Sequence, residues 1–372
     1  MSLTLTPPPR RLLVRGVNWL GDAVMTTPAL LRLREHFPAA HLTLLTPDKL
    51  RDLWTAHPAV DATLAFAPDA GILSIAQKLR AGQFDLALVL PNSPRSALET
   101  WLARIPQRIG YDRPWRNVFL TRAIPGRPGA VKMRKRTAEA IRALTQSPGA
   151  VKTSPPIPAA AHQLHEYLHL AAALGANPEP VAPLLCVLPA ELAAAREKFG
   201  LGQTSWPFLG LNPGAEYGPA KRWPVEKFIA AARLVQARRP GKWLLFGGPN
   251  DAAATAQIEA ALRAGPADVC NLAGRTTLRE LMALLKLCRV LLTNDTGPMH
   301  VAAALGTPVV VPFGSTSLAL TGPGLPGDLR HRLLPGDAPC SPCFLRECPI
   351  DFRCLNSISA ERVAEAVLSV GF

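Results

Sequence analysis

The stretch "LLTNDTGPMHVAAALGTPVVV", residues 291–311, decides the fold. An apolar run ends in Asn-Asp-Thr-Gly-Pro, a helix of small residues follows, and a second apolar run closes the unit at 309–311. Apolar runs without polar alternation are strands buried on both faces of a parallel sheet, and a helix is the usual crossover between them. Gly297 permits close backbone approach and Pro298 suits a first helical position, so a helix N-terminus faces outward from the strand end. Free amides and partial positive charge make that terminus a place for a phosphate. Asp295 has two readings there. Alone it is best read as a helix cap; functionally it would face a sugar hydroxyl or the amides, because a carboxylate repels a diphosphate. His300, one turn in, is either a packed core residue or a second contact to the same anion.

The same rhythm extends in both directions. "RLLVRGV" (11–17), "HLTLLTP" (41–47) and "FDLALVLP" (84–91) read as strands, with "PALLRLREHFP" a helix that starts at Pro28. The second half repeats it in "PFLGLNPG", "VEKFIAAARLVQARR", "KWLLFGGP", "TLRELMALLKLC" and "RVLLTND". With 372 residues and 48% hydrophobic content, the chain is expected to form two well-buried α/β domains. The expected boundaries are 1–180 and 181–372, with a proline-rich linker at 177–192 and a loose loop over 145–162.

Ligands of open parallel sheets bind beyond the carboxyl ends of the strands, which singles out two more loops. "NPGAEYGPAKRWP" (212–224) carries Gly214, Gly218, Lys221 and Arg222 ahead of a helix start at Pro224. It is not a Walker loop, because no glycine precedes the lysine and Arg222 stands where Ser or Thr belongs. It reads as a plain turn or as half of an anion clamp. "RGVNWLGDAVMTTP" (15–28) places Asp22 at a Gly-Asp turn beside Trp19, as a cap or a general base. A nicotinamide fingerprint and a DxD metal-diphosphate motif are not expected, so hydride transfer and metal-dependent sugar transfer lose ground.

The net charge of +14 calls for an acidic partner. Arg104, Arg108, Arg113, Arg116, Arg122, Arg127, Lys132, Arg134, Lys135, Arg136 and Arg142 face only Asp112 and Glu139, as a solvated surface or as a docking site for anions. Nucleic acid is disfavoured by the lack of ribonucleoprotein, helix-turn-helix or zinc-finger patterns. No run of about 18 apolar residues and no leader pattern occurs, so a cytoplasmic location is expected. Cys340, Cys343, Cys348 and Cys354 lie within fifteen residues. Four thiolates at such spacing could hold zinc; the expectation is no metal, and no disulfide in a reducing compartment.

Four segments, "NWLGDAVMTTPAL", "PGAEYGPAKRWP", the run from "NLAGRTTLRELM" to "GTPVVVPFG", and "CSPCFLRECP", together resemble the heptosyltransferases of glycosyltransferase family 9, most closely their type II members. The resemblance spans most of the chain and is weakest from about residue 120 to 205. It implies the GT-B fold, two Rossmann-like domains with parallel sheets facing across a cleft, acceptor bound by the first and ADP-heptose by the second. It implies metal-free, inverting transfer of L-glycero-D-manno-heptose to the first heptose of the lipopolysaccharide inner core. The acceptor would be lipid A-Kdo-heptose, met at the anionic inner face of the membrane, with no cofactor beyond the donor and no nucleic acid. By the same resemblance Asp22 is the general base, and Lys221 with the amides at Thr296 and Gly297 answers the charge of the leaving ADP. Asp295 holds the nucleotide-sugar side, His300 assists at the diphosphate, and Gly214 lines the donor site. Thr276 matches a base-contacting position and "GGPNDA" a ribose-contacting loop. The acid that some relatives carry in that loop falls near Pro249, with Asn250 or Asp251 as substitutes.

Overall fold

A computed structural model describes residues 7–146, 157–202 and 206–372. Six parallel strands build the first sheet: β1 (Arg11–Arg15), β2 (His41–Pro47), β3 (Ala62–Phe66), β4 (Leu86–Val89), β5 (Gln107–Tyr111) and β6 (Arg122–Ile124). Six more build the second: β7 (Phe208–Asn212), β8 (Lys242–Leu245), β9 (Asp268–Asn271), β10 (Cys288–Thr293), β11 (Val309–Phe313) and β12 (Arg332–Pro335). Their spatial orders are β3-β2-β1-β4-β5-β6 and β9-β8-β7-β10-β11-β12. Counted within its own unit, each is the doubly wound order 3-2-1-4-5-6, whose direction reverses between the first and fourth strands. The expected fold class, α/β with two Rossmann-like domains of the GT-B type, is what forms.

The apolar strands are interior strands. Leu12 pairs with Leu42 on one side and Leu86 on the other, and all three are buried. Leu13, Leu45 and Ala87 meet Ile75 and Leu79 of the helix Ile72–Ala81 to form one core of the first unit. In the second unit Trp223 and Trp243 are fully enclosed. Each keeps a partner for its indole, Trp223 donating to Ile358 O (3.2 Å) and Trp243 to Gln236 Oε1 (3.1 Å).

The units divide the chain as Met1–Ala130 with Ala160–Cys186, and Val131–Ala159 with Val187–Phe372. The chain therefore passes between them three times, where the sequence suggested one passage at 180/181. The last passage falls inside the expected proline-rich linker. The expected loose loop lies partly outside the described residues, at 147–156. This division splits the basic stretch, contrary to its expected place wholly in the first domain: Arg104 to Arg127 belong to the first unit, and Lys132 to Arg142 to the second. The cause is local. Ile141, on the helix Ala138–Gln146, is buried in the second unit's core, and Arg136 donates from its backbone to Cys343 O (3.0 Å) and from Nε to Pro342 O (3.3 Å). One string has GxGxxG spacing after all, Gly322 to Gly327. It lies between the short helix Leu318–Thr321 and β12, not on a strand-to-helix turn, so it is not a dinucleotide fingerprint.

Candidate active site

In the second unit the order of strands reverses between β7 and β10, and the loops after these two strands are the ones singled out by sequence. Buried asparagines tie them together. Asn212 donates to Thr293 Oγ1 (3.0 Å), while Asn294 accepts from the Trp223 amide (3.0 Å) and donates to Pro213 O (2.7 Å). Removing either side chain would strand buried polar groups, so the loops are held as one piece.

Asp295 is not the helix cap. Thr296 is the N-cap of the helix Gly297–Ala304, in extended conformation and without a side-chain cap bond, and Pro298 sits at its second position. The buried Asp295 carboxylate instead accepts from Lys221 Nζ (2.7 Å) and from Thr316 Oγ1. Lys221 also lies 5.0 Å from the centre of the Tyr217 ring, a cation on an aromatic face. The first amides of a helix have no partner within it, and Pro298 has no N–H. Half-buried Thr296 and Gly297 thus present their backbone beside a fixed ammonium group. This arrangement suits the oxygens of a diphosphate. His300 is 5% exposed on the same helix.

The lysine loop is braced by the cysteine-bearing segment. Tyr217 donates to Phe344 O (2.8 Å), the Ala220 amide donates to Arg346 O (2.9 Å), and the Arg346 guanidinium lies 5.2 Å from the Tyr217 ring. Gly218 has φ +149°, and a Cβ there would stand 2.6 Å from Arg346 O. The closeness of the two segments is what demands glycine.

Cys340, Cys343 and Cys354 are buried and Cys348 half-buried, all with free thiols. With Ile141, Ala220 and Ser315 they line a cavity of about 10 Å³. Burial pushes the Cys354 thiol up to about 12 and raises Cys340 and Cys343. The thiols of Cys340, Cys343 and Cys354 are therefore protonated and poor nucleophiles near neutrality. Among the described residues no group of three or more His, Cys, Asp or Glu side chains is gathered to hold a metal ion.

Gly214 is explained by an acid far along the chain. A Cβ on it would lie 2.2 Å from Asp251 Oδ2, and that carboxylate accepts from the Gly248 amide (3.0 Å) and stands 3.7 Å from Arg222. Of the two substitutes for the missing acid, Asp251 thus faces the β7 loop. Thr276 is half-buried on the turn after β9. There Gly274 donates to Gly247 O (2.9 Å), joining that turn to the "GGPND" loop.

In the first unit Asp22 sits in the first turn of the short helix Leu20–Met25, beyond β1. Gln163 Nε2 donates to Asp22 Oδ1 (2.7 Å) and to Tyr167 Oη (3.1 Å). Burial, and next the Asp22 charge, raise the Tyr167 phenol well above its ordinary value, so it stays neutral. Arg15 is buried under the same loop, in an ion pair with Glu99 (3.0 Å) and donating to Gly16 O (2.6 Å) and Asn18 Oδ1 (3.0 Å). At the ends of β4 and β5 lies Arg116, fully buried. Its Nη1 reaches Asn92 Oδ1 at 3.4 Å, while Nε and Nη2 have no acceptor. Burial, and then neighbouring Arg113, lower its pKa to about 10. Nothing local in the sequence marks Gln163, Thr316, Tyr217 or Arg346 as belonging to these sites; Asn294, at a strand end beside Asp295, carries the one such signal.

Two doubly wound units, one with a cation and helix amides at its switch point, define an α/β protein whose second unit has a site chemically suited to an anionic ligand. The family model for glycosyltransferase family 9 (heptosyltransferase) matches residues 72–352, and the chain belongs to that family. It is 32% identical over 321 residues to lipopolysaccharide heptosyltransferase 2 of Salmonella typhimurium, covering 84% of this chain and 85% of the relative. The structure of ADP-heptose lps heptosyltransferase II from E. coli superposes with a TM-score of 0.75 at 27% identity, covering 97% and 98% of the two chains. A family 9 glycosyl transferase from Veillonella parvula, at 22% identity and a TM-score of 0.76, shares the fold.

Proposed function

We propose that the chain moves L-glycero-D-manno-heptose from ADP-heptose to the first heptose of a lipopolysaccharide inner core, by direct displacement with inversion. The Lys221–Asp295 pair at the second switch point carries this reading. It fixes an ammonium group where a leaving diphosphate would gather charge, and the amides at Thr296 and Gly297 add donors without any metal. The second unit takes the donor, with Gly214 and His300 at the diphosphate side and Thr276 near the base. The first unit takes the acceptor. Asp22, oriented by Gln163, accepts the proton of the attacking hydroxyl. The acceptor of this reading is lipid A-Kdo-heptose, which carries anionic groups, and the chain's net charge of +14 suits such a partner. Among the described residues no helix is long and apolar enough to cross a membrane, and the reading places the enzyme at the cytoplasmic face of the inner membrane, without nucleic acid.

The test is incubation with ADP-heptose and defined truncated core acceptors, read by mass. Gain of one heptose on the mono-heptosyl acceptor, in excess chelator, is expected. Transfer only to a different acceptor would reassign the linkage, and transfer that stops on chelation and returns with magnesium would refute the metal-free mechanism.

A further inference from the structure

The cysteine-bearing segment brings one more cation to the lysine loop, and its backbone is held from two sides. Ser341 Oγ donates to Gly314 O (2.7 Å), and the Cys343 and Phe344 amides donate to Ser315 O (3.1 and 2.7 Å), in the loop after β11 that also carries Thr316. From the lysine loop, Tyr217 and the Ala220 amide donate to the carbonyls of Phe344 and Arg346. Residues 341–346 are thereby fixed against both loops that supply partners to Asp295. Arg346 is exposed, and its guanidinium lies over the Tyr217 ring, as Lys221 Nζ does. The neighbouring cations have acceptors. Lys221 is paired with Asp295, Arg222 stands 3.7 Å from Asp251 and donates to Ala215 O (3.3 Å), and Arg353 is paired with Asp351 (3.0 Å). Among the described residues the Arg346 guanidinium has no hydrogen-bond acceptor and no ion-pair partner, only the ring.

Charge balance gives this arrangement its meaning. The Lys221–Asp295 pair carries no net charge, whereas each phosphate of a nucleotide-sugar diphosphate carries a negative one. Two cations gathered on one ring also repel each other until an anion joins them. A guanidinium has a planar fork of donors that can span two phosphate oxygens, and stacking on an aromatic ring orients that fork in advance. We infer that Arg346 is a donor-binding residue: its guanidinium meets the diphosphate alongside Lys221 and supplies the net positive charge that the Lys221–Asp295 pair lacks. The inference deepens the proposed function and rests on its placing of the nucleotide-sugar in the second unit. It also gives the segment from Cys340 a purpose, which is to set Arg346 on the Tyr217 ring.

The test is calorimetric titration of the full chain with ADP and with AMP, at low and high salt. Arg346→Gln should weaken ADP by about ten- to a hundredfold, as expected for a lost hydrogen bond to a charged group, and AMP by less, because AMP has no second phosphate to span. The difference should narrow as salt rises. Arg346→Lys, which keeps the charge and loses the fork, should recover part of the ADP affinity. Arg353→Gln, on the same segment but paired with Asp351, should bind ADP as the wild type does. An unchanged ADP constant in Arg346→Gln would overturn the inference. So would an equal loss for ADP and AMP with no recovery in Arg346→Lys, for that would mark a displaced loop rather than a lost phosphate contact. Weakened ADP binding in Arg346→Gln, together with no heptose transfer by the wild-type chain, would uphold the inference and defeat the proposed reaction instead.

Discussion

Replacing Lys221 by alanine does two things that the structure separates. It removes a donor from the leaving diphosphate, a loss of about 10²-fold or more in turnover by analogy with other preorganised donors. It also strips the buried Asp295 carboxylate of the ammonium 2.7 Å away, leaving Thr316 as its remaining named partner. An unanswered carboxylate about 5 Å from a donor phosphate, at an effective dielectric near 20, costs about 3 kcal/mol per unit charge. That corresponds to roughly two orders of magnitude in donor affinity. Lys221→Ala should therefore raise the ADP-heptose constant about a hundredfold as well as lowering kcat, and Lys221→Ala with Asp295→Asn should recover most of the affinity but not the rate. Calorimetric titration with ADP and steady-state transfer, on both single variants and the double, form the cycle. Equal ADP affinity in the Lys221 single and double variants would refute the reasoning, for it would mean that Asp295 does not act on the ligand through its charge.

Asp22→Asn should cut turnover by about two to four orders of magnitude while ADP affinity holds, and Gln163→Leu should reduce kcat more modestly because it only disorients the base; single-turnover transfer near the wild-type rate in Asp22→Asn would end the base assignment. Gly214→Ala forces a methyl group into the Asp251 carboxylate and should destabilise by about 1–3 kcal/mol, visible as a lower urea midpoint; an unchanged midpoint would show that the loop yields freely. His57 is buried and its pKa is lowered from 6.5 to about 4 by that burial, partly offset by a backbone bond near Leu184. A depressed folded pKa means the unfolded chain binds the proton more readily, so stability is fully present above about pH 6.5 and falls as pH drops toward 4. The loss at pH 5 is about 2 kcal/mol, read by urea unfolding at pH 7 and pH 5, and His57→Gln should shrink it; an undiminished pH dependence would assign the loss to other groups.

The strands and their order of appearance were legible because burial on both faces leaves an unbroken apolar run, as in "HLTLLTP", whose strand spans His41–Pro47 as read. Short strands such as β6 and β12, with half-buried or exposed residues, leave no such trace. The three candidate loops were legible for a related reason: glycine, proline and charge after an apolar run are local facts about one turn.

What each charged residue does was not local. Asp295 read alone is a cap, and only the folding of β7 beside β10 brings Lys221 to it across 74 positions of sequence. Asp22 takes its orientation from Gln163, 141 residues on, and Gly214 owes its identity to Asp251. The basic stretch from Arg104 to Arg142 shows the same limit in reverse. Continuous in sequence, it is divided between two units because one isoleucine, Ile141, is buried in the second core. Periodicity and turn chemistry are written residue by residue and so fix the elements. The partner of a buried charge depends on which strands lie side by side, and that is decided only when the sheet closes.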